Sequence, residues 1–518
     1  MILSTSDGTG LEPPDLSQNL MTDHPRTWLV VLLLMFLAAA AVRAYQIDAA
    51  GLLVDRDYTS AMFARDFYFA EVKGIEPWRK DMARIMRAKQ PDLEPPITEW
   101  LVAKAYKMVG GENLRVARVI TSLFWLAGGI FLFDVIRRVV STDAALLGLG
   151  YYLFTPMSIL LSRSFQPDSL MMLMYLWSLW GIVCYYQKPS RKKLLLAAAA
   201  AAATLVYRPL VLPSLAAAFV MPQLQNKGVW KGLSSRETFV YCLIGILPAI
   251  LYYAYATVIA QYFGWKLTSS FRFYLWGHVE YWRGWAELAA ITAKVPFLIA
   301  AVLGFFLLRP GLPRSIVTGM TLGYLVFCLM FTMHIHTHDY YHAQLIPVVA
   351  IAASPLAAAA MRWVLSSSGM WTKIAAVVIV TSVALVWARD VRQGLNRAGF
   401  EPPPVAREIG ALVNHSDKVV FLSRYYGLPL QYYGEFTGAY WPRPITYWLY
   451  REKGERELSV TERIDELGFE PDYFVITFFR EYEKNHKDLA NYVEHSCVLK
   501  AQTDLYVIYW RCQPPPVR

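Results

Sequence analysis

The sequence predicts a helical bundle that crosses a membrane many times and is followed by a small soluble α/β domain. Of the 518 residues, 56% are hydrophobic and 17% are charged, whereas a typical soluble domain has about 25% charged residues. The mean hydropathy is +0.31. Apolar residues are concentrated in long uncharged runs before residue 390, and the rest of the chain has a globular composition. These observations exclude a soluble enzyme, a disordered protein and a disulfide scaffold.

The apolar runs predict about eleven membrane spans, because a spanning helix needs about 20 mostly apolar residues. The runs are 27–42, 116–136, 142–162, 169–186, 194–207, 210–224, 239–260, 289–308, 315–333, 343–360 and 371–388. The fifth and sixth are brief because Arg208-Pro209 separates them. No convincing small-residue cleavage site follows the first run, so it is predicted to be a retained helix and not a signal peptide.

Basic residues predict the orientation of the bundle, because short cytoplasmic loops carry an excess of lysine and arginine. The enriched loops hold Arg137, Arg138, Lys188, Arg191, Lys192, Lys193, Lys227, Lys231, Arg236, Arg309, Arg314, Arg362 and Lys373. With eleven spans, the N-terminus is predicted to be cytoplasmic and the C-terminal domain extracytoplasmic. The net charge of +10 is therefore explained by topology, and we predict no nucleic-acid partner.

Three regions are predicted: a cytoplasmic tail (1–26), a transmembrane region (27–390) with a large external loop (43–115), and an extracytoplasmic α/β domain (391–518). In the loop, Trp78, Met82, Ile85 and Met86 recur at helical spacing, with basic residues on the other faces. This pattern favours a basic amphipathic helix on an anionic membrane surface or, equally, a helix packed on the protein itself. A second external segment, 261–288, is rich in aromatic residues, which indicates only that it lies near the membrane interface.

In the tail, alternating patterns predict a small α/β domain. Helices are expected over 403–413, 460–467 and 481–493, strands over 418–422 and 472–478, and a final hairpin over 498–511. Cys497 and Cys512 flank that hairpin. If the domain faces an oxidising compartment, they either form a disulfide or stay as two free thiols. The tail contains no glycine-rich phosphate loop, so we predict no nucleotide cofactor.

Ionisable residues just outside the span ends are the candidates for chemistry, because they are costly at membrane depth and often mark a site. The clusters are Asp55-Arg56-Asp57, Glu94-Pro95-Pro96, Arg163 with Gln166-Pro167-Asp168, and His334, His336, His338, Asp339 and His342. Simpler interpretations exist. Asp55 and Asp57 could be solvated loop residues, and Asp168 could cap the following helix. The spacing of the histidines is not typical of a zinc site. Together on one predicted face, they indicate proton removal from an acceptor by a carboxylate and phosphate binding by arginine.

The order of several motifs resembles that of a known superfamily. The motifs are Gly51-Leu52-Leu53-Val54-Asp55, Thr59-Ser60-Ala61-Met62, Glu94-Pro95-Pro96-Ile97, Gly110-Gly111-Glu112-Asn113 with Arg115 and Arg118, Arg163 with Pro167-Asp168, Tyr207-Arg208-Pro209, and His338-Asp339-Tyr340-Tyr341. They cover most of residues 27–360. In this order they resemble the GT-C lipid-phosphosugar glycosyltransferases, in particular the bacterial relatives of protein O-mannosyltransferases and lipid A aminoarabinose transferases.

The resemblance implies roles for particular residues. An aspartate of the first external loop is the general base in that superfamily, and Asp55 has its position. Because Arg56 and Asp57 follow where a glutamate is common, the base is left open between Asp55 and Asp57, and Asp55 is preferred. Asp168 matches the acid of the second external turn, which helps to shape the acceptor or donor site, so it is a further catalytic candidate. Glu94 and His278 resemble the metal-binding positions of some relatives, so a divalent metal ion is a further expectation. Donor-phosphate candidates, chosen by charge and side of the membrane, are Arg56, Arg208, Arg272 and Arg283.

The predicted function is therefore transfer of a sugar, with inversion, from a polyprenyl-phosphate donor to an extracytoplasmic acceptor at a bacterial inner membrane. The acceptor is left open among a lipid, a protein and a polysaccharide. The alternative is a transporter or flippase of a lipid-linked sugar, whose buried charges would line a path. A third hypothesis, a membrane scaffold, leaves the acidic clusters without a purpose.

Overall fold

The protein is described from a computed structural model over residues 25–49, 54–90, 94–260, 270–396, 401–443, 446–447, 456 and 458–512. Nearly all of the predicted cytoplasmic tail lies outside these residues. Residues 261–269, the start of the predicted aromatic segment, lie outside them as well, and so does the Gly51-Leu52-Leu53 part of the first motif.

Helices dominate the chain up to residue 395. In the described residues they are α1 (Pro25–Ala44), α2 (Val54–Glu71), α3 (Pro77–Ala88), α4 (Ile97–Val109), α5 (Leu114–Val139), α6 (Thr142–Phe154), α7 (Pro156–Arg163), α8 (Asp168–Gln187), α9 (Arg191–Tyr207), α10 (Leu212–Lys227), α11 (Val229–Leu233), α12 (Arg236–Tyr241), α13 (Leu247–Ala254), α14 (Val279–Ala293), α15 (Val295–Leu307), α16 (Leu312–Met330), α17 (Thr332–Ile335), α18 (Leu345–Ser366) and α19 (Met370–Leu395). Short 3-10 or π turns lie at Pro209–Val211, Cys242–Ile246, Tyr255–Ile259, Phe273–Gly277 and Asp339–Gln344.

The predicted multi-pass helical architecture is confirmed. Among the described residues, 7 helical segments are long and apolar enough to cross a membrane, and the number rises to 9 if two bent pairs, α6–α7 and α14–α15, each count as one span. The two remaining predicted spans are α9 and α10, with 17 and 16 residues. At about 1.5 Å per residue they reach only about 25 Å, short of a hydrocarbon core of about 30 Å. The count of eleven therefore stays a prediction.

The breaks in the bent pairs have local causes. Pro156 follows Thr155, where the chain bends by 57° between α6 and α7, because proline lacks the N–H of a continuous helix. Lys294 has a φ of 65° at the 86° bend between α14 and α15. Its ammonium lies 2.7 Å from Oδ2 of Asp390, which ties this bend to α19.

One helix pair in the membrane region packs through glycine. Gly319 and Gly323, four residues apart on α16, lie against the backbone of α10, and a Cβ on Gly323 would lie 2.3 Å from Cα of Ser214. Small residues at this spacing allow membrane helices to approach closely. In this way α16 and α10 form a tight pair.

The C-terminal residues form the predicted α/β domain. Its helices are α20 (Pro403–Leu412), α21 (Leu428–Gly434), α22 (Val460–Asp465), α23 (Phe479–Asn485) and α24 (Lys487–Ser496), and its strands are β1 (Val419–Leu422), β2 (Gly438–Tyr440), β3 (Tyr473–Ile476), β4 (Val498–Gln502) and β5 (Val507–Trp510). The sheet order is β2-β1-β3-β5-β4, with β1 parallel to β2 and β3, and β5 antiparallel to β3 and β4. Strands β1 and β3 and the final hairpin match the sequence prediction, whereas β2 and α21 were not predicted.

Apolar residues cover both faces of this sheet. Val419 and Phe421 of β1 pack in one cluster with α20, while Val420 and Leu422 pack in the other with α24. This alternation follows from the two-residue period of a strand. Cys497 and Cys512 form a disulfide at the ends of the hairpin.

The chain divides into two compact units that do not follow chain order. The membrane unit comprises Met1–Tyr45, Ser122–Ser162 and Asp168–Arg392, and the loop–tail unit comprises Gln46–Thr121, Arg163–Pro167 and Gln393–Arg518. The first external loop therefore shares a core with the C-terminal domain. Helix α3 buries Met82 and Met86 in that core, so the structure favours the alternative in which this amphipathic helix packs on the protein.

Candidate active site

Helix α2 carries the first acidic cluster in its first turn. Asp55 and Asp57 lie there, where negative charge is favourable at the N-terminal end of the helix dipole. Side chains two residues apart on a helix point in nearly opposite directions. Accordingly, Asp57 is 3% exposed, whereas Asp55 is only partly buried. Of the two carboxylates, Asp55 is the more accessible to a ligand.

A tyrosine of the C-terminal domain lies on the Asp55 side. Partial burial raises the pKa of Tyr426, the negative charge of Asp55 raises it further, and Arg443 lowers it. Tyr426 belongs to the turn Tyr425–Gly427, in which all three residues have positive φ angles of 51°, 55° and 65°. Bulky residues rarely adopt this conformation, and such strain is often found at functional sites. The sequence contained no signal for this residue.

Asp57 faces a buried basic region of the same unit. Its charge acts on Arg163 and Tyr58. Arg163 is 1% exposed, and its Nη2 donates to the backbone carbonyl of Gln46. Arg118 also acts electrostatically on Arg163. Asp57 therefore compensates buried positive charge, which is a structural contribution to the loop–tail unit.

The second predicted cluster lies beside α2. Arg56 pairs with Glu94 at 2.8 Å, and Ser60 Oγ donates to Oε1 of Glu99 at 2.7 Å. Burial raises the pKa of Glu99 to about 7, while the hydrogen bond from Ser60 opposes this rise. These residues line a small pocket of about 20 Å³, which has room for about one water molecule. Glu99 is a buried carboxyl group that is not among the site residues predicted from the sequence.

The predicted metal ligands do not fit a metal site. Glu94 is held by the guanidinium of Arg56, and a cation beside a ligand disfavours a second cation. His278 packs edge-on against Tyr274, with ring centroids 5.9 Å apart. Within the described residues, no group of three His, Cys, Asp or Glu side chains is arranged to hold a metal ion. As described, the side chains of Glu94 and His278 therefore do not form a metal site.

The histidines of the last cluster make separate contacts. His334 hydrogen-bonds Ser270 at 3.0 Å and stacks on Tyr341. The buried His342 has both ring nitrogens engaged, Nδ1 with the hydroxyl of Tyr324 at 2.7 Å and Nε2 with a backbone carbonyl. These contacts position the turn before α18.

The remaining candidates belong to the membrane unit. Asp168 begins α8 and pairs with Arg208 at 3.2 Å, and both side chains are nearly fully buried. Arg272 is half-buried, and its backbone N–H donates to Thr332 Oγ1. Arg283 forms an exposed pair with Glu287 on α14. The catalytic role of Asp168 and the phosphate-binding roles of these arginines stay predictions.

A cleft of about 1930 Å³ lies in the loop–tail unit. Trp78, Asp465, Tyr473 and Trp510 line it, and none of the predicted site residues does. A second, polar pocket of about 420 Å³ in the same unit is lined by arginines. Size alone therefore does not identify the site around Asp55.

Comparisons with known proteins bear on this geometry. A family model for dolichyl-phosphate-mannose-protein mannosyltransferase matches residues 93–255. Among solved structures, ArnT from Cupriavidus metallidurans bound to undecaprenyl phosphate is 14% identical with a TM-score of 0.54, and the match covers 94% of this chain and 98% of that chain. This protein has the GT-C glycosyltransferase fold.

An archaeal protein has the same GT-C fold. AglB, an oligosaccharyltransferase from Archaeoglobus fulgidus in complex with an inhibitory peptide and a dolichol-phosphate, is 10% identical with a TM-score of 0.54. The match covers 96% of this chain and 75% of that chain. A comparison of the sequence with curated proteins finds no match. The resemblance inferred from the motif order is thus confirmed at the level of the fold, and the protein is a multi-pass membrane protein.

Proposed function

We propose that this protein is a membrane glycosyltransferase that moves a sugar from a polyprenyl-phosphate donor to an extracytoplasmic acceptor with inversion at the sugar carbon. The observation that carries the proposal is Asp55, a half-buried carboxylate in the first turn of α2 in a chain with the GT-C fold. ArnT, with this fold, was solved with undecaprenyl phosphate, and AglB was solved with a dolichol-phosphate. These lipids support the choice of donor.

In the proposed reaction, the acceptor hydroxyl or amine attacks the anomeric carbon of the sugar. The bond between that carbon and the phosphate oxygen breaks, and polyprenyl phosphate leaves. Asp55 accepts the acceptor proton as the new bond forms. Because the leaving group is a phosphate, the protein needs only to stabilise its charge, and the predicted arginines are candidates for that task.

Three features support Asp55 over Asp57 as the base. Asp55 is more exposed than Asp57. Asp57 compensates the buried charge of Arg163. Tyr426, which interacts with Asp55, is 47% exposed, so a water-accessible space adjoins this pair.

The proposal places the loop–tail unit on the extracytoplasmic side of an inner membrane. The distribution of basic residues supports this orientation. The disulfide between Cys497 and Cys512 supports it independently, because disulfides persist in oxidising compartments.

The test uses purified full-length protein with a panel of radiolabelled polyprenyl-phosphate sugars, and it measures release of free polyprenyl phosphate. We expect Asp55→Asn to reduce release by at least 10²-fold, within the range of general-base effects. The matched control is Asp81→Asn, which removes an exposed carboxylate of α3 and should leave release unchanged.

Two outcomes contradict the proposal. Full activity of Asp55→Asn together with loss of activity in folded Asp57→Asn would transfer the base role to Asp57. If every donor stays intact while the protein moves a lipid-linked sugar across vesicles, the flippase hypothesis replaces the transferase.

A further inference from the structure

A polar pocket in the loop–tail unit has no role in the reaction proposed above. It has a volume of about 420 Å³, within the range of about 300–1,000 Å³ that is common for ligand sites. Its lining includes five arginines: Arg65, Arg79, Arg115, Arg118 and Arg407. We call it the arginine pocket. None of the predicted catalytic, metal or donor-phosphate residues lines it.

Three of the five guanidinium groups are matched one to one with carboxylates that also line the pocket. Arg65 Nε lies 3.0 Å from Glu112. Arg79 Nε donates to Glu435 at 2.7 Å, and Arg115 Nη2 donates to Asp48 at 2.8 Å. These pairs join α2 to the segment before α5, α3 to the C-terminal domain, and the start of α5 to the segment before α2. Their charges cancel within the pocket.

Arg118 and Arg407 remain without a carboxylate of their own among the described residues. Arg118 is 4% exposed, and its one described hydrogen bond goes to the backbone carbonyl of Ile47 at 2.7 Å. Asp48 acts on it electrostatically but is hydrogen-bonded to Arg115. A guanidinium has five N–H donors, so most of those of Arg118 are available to a ligand.

Two further arginines, Arg163 and Arg407, add positive charge near Arg118. Arg163, which is also buried, interacts repulsively with Arg118. Arg407 is exposed at the rim, with its guanidinium 5.9 Å from the ring centre of Tyr433. With three pairs cancelled, the lining has a surplus of two positive charges. A buried cation without a compensating anion is unfavourable, and a bound anion removes that cost.

We propose that the arginine pocket binds a phosphate monoester other than the polyprenyl-phosphate donor. A phosphate monoester has a charge of about −1.5 to −2 at neutral pH, which balances the surplus, whereas a single carboxylate leaves part of it unbalanced. Arginine binds phosphate through two parallel N–H donors. The binding site itself is independent of the proposed function. Only the distinction from a polyprenyl-phosphate donor rests on it.

The experiment measures binding to the full-length protein in detergent by isothermal titration calorimetry. The probes are glucose 1-phosphate, inorganic phosphate, glucose, gluconate and undecaprenyl phosphate. Arg407→Gln and Arg118→Gln test the pocket. Arg480→Gln is the matched control, because Arg480 is an exposed arginine of the same unit outside the pocket.

We expect glucose 1-phosphate to bind and its dissociation constant to rise at least tenfold in Arg407→Gln and in Arg118→Gln. The constant should change less than twofold in Arg480→Gln. Glucose should not bind, and gluconate should bind at least tenfold more weakly. Binding of inorganic phosphate with the same dependence on Arg407 also supports a phosphate site. Because Arg407 is exposed, its variant decides the outcome if Arg118→Gln fails to fold.

Four results would overturn the inference. They are no binding of either phosphate compound, equal weakening by Arg480→Gln, gluconate binding as tight as that of the sugar phosphate, and loss of undecaprenyl phosphate binding alone in Arg407→Gln. The last result would make the pocket a donor site. Asp55→Asn should bind glucose 1-phosphate normally, so failure of the pocket and failure of the transferase proposal are distinguishable.

Discussion

Glu99 predicts an unusual dependence of stability on pH. Its side chain is 7% exposed, and burial raises its pKa from 4.5 to about 7. The folded protein therefore holds a proton that the unfolded chain releases above pH 4.5. The stabilisation from this proton is fully present below pH 4.5 and is lost as the pH rises through about 7. At about 1.36 kcal/mol per pKa unit, the loss is about 3 kcal/mol.

Replacing Glu99 by Gln removes the titrating group. The amide oxygen still accepts the hydrogen bond from Ser60, so the variant should be more stable than the wild type by less than about 1 kcal/mol at pH 5 and by about 3 kcal/mol at pH 8. A domain of about 200 residues shifts by about 2–4 °C per kcal/mol, which gives a difference in Tm of about 6–12 °C at pH 8. Thermal unfolding of the detergent-solubilised protein between pH 5 and 9 measures it.

The control is Glu483→Gln, which removes an exposed carboxylate of the same unit and should change Tm equally at all pH values. A difference between Glu99→Gln and the wild type that does not grow with pH would refute the reasoning. A difference that shrinks with pH would show that Glu99 is ionised and stabilising in the folded protein.

Three further variants test other contacts. Gly323→Ala should lower the Tm, because its Cβ would lie 2.3 Å from a backbone atom of α10, whereas Gly111→Ala, with no atom within 4 Å, should not; equal effects would contradict the tight packing. The double variant Cys497→Ser, Cys512→Ser should lose about 3 kcal/mol of stability, because the disulfide closes a loop of 15 residues. A reducing agent should lower the Tm of the wild type by the same amount and leave the Tm of the variant unchanged. Asp168→Asn should cost about 3–5 kcal/mol, because it removes the carboxylate charge from a buried ion pair with Arg208. The double variant Asp168→Leu, Arg208→Met should recover most of that loss in denaturant unfolding. A double variant as unstable as the single one would argue for a role beyond pairing.

Much of the fold could be predicted because its signals are local. Long apolar runs located the membrane helices, and the apolar strands 418–422 and 472–478 matched β1 and β3. In contrast, α21 and β2 were missed. Strand β2 has only three residues, too few for a period to be visible, and α21 follows a turn with three left-handed residues that no glycine or asparagine run announces.

The site was only partly predictable for a different reason. Asp55 was selected through the order of the motifs, but its neighbour Tyr426 lies far along the chain in the C-terminal domain. Arg56, the residue after Asp55, pairs with Glu94, so the carboxylate that was predicted to bind a metal ion binds a guanidinium instead. Such contacts depend on how distant segments pack, which a single sequence does not show.

The discontinuous loop–tail unit has a consequence for biosynthesis. Residues 46–121 complete their core only with residues 393–518, so the loop leaves the ribosome long before its partner exists. At about 5–20 residues per second, synthesis of the intervening segment takes tens of seconds. During that time Tyr58, Met82 and Met86, all buried in the finished core, have no packing partner from the tail. A chaperone on the side of the membrane that receives the loop would protect them, and truncation before residue 393 should leave the loop open to proteolysis.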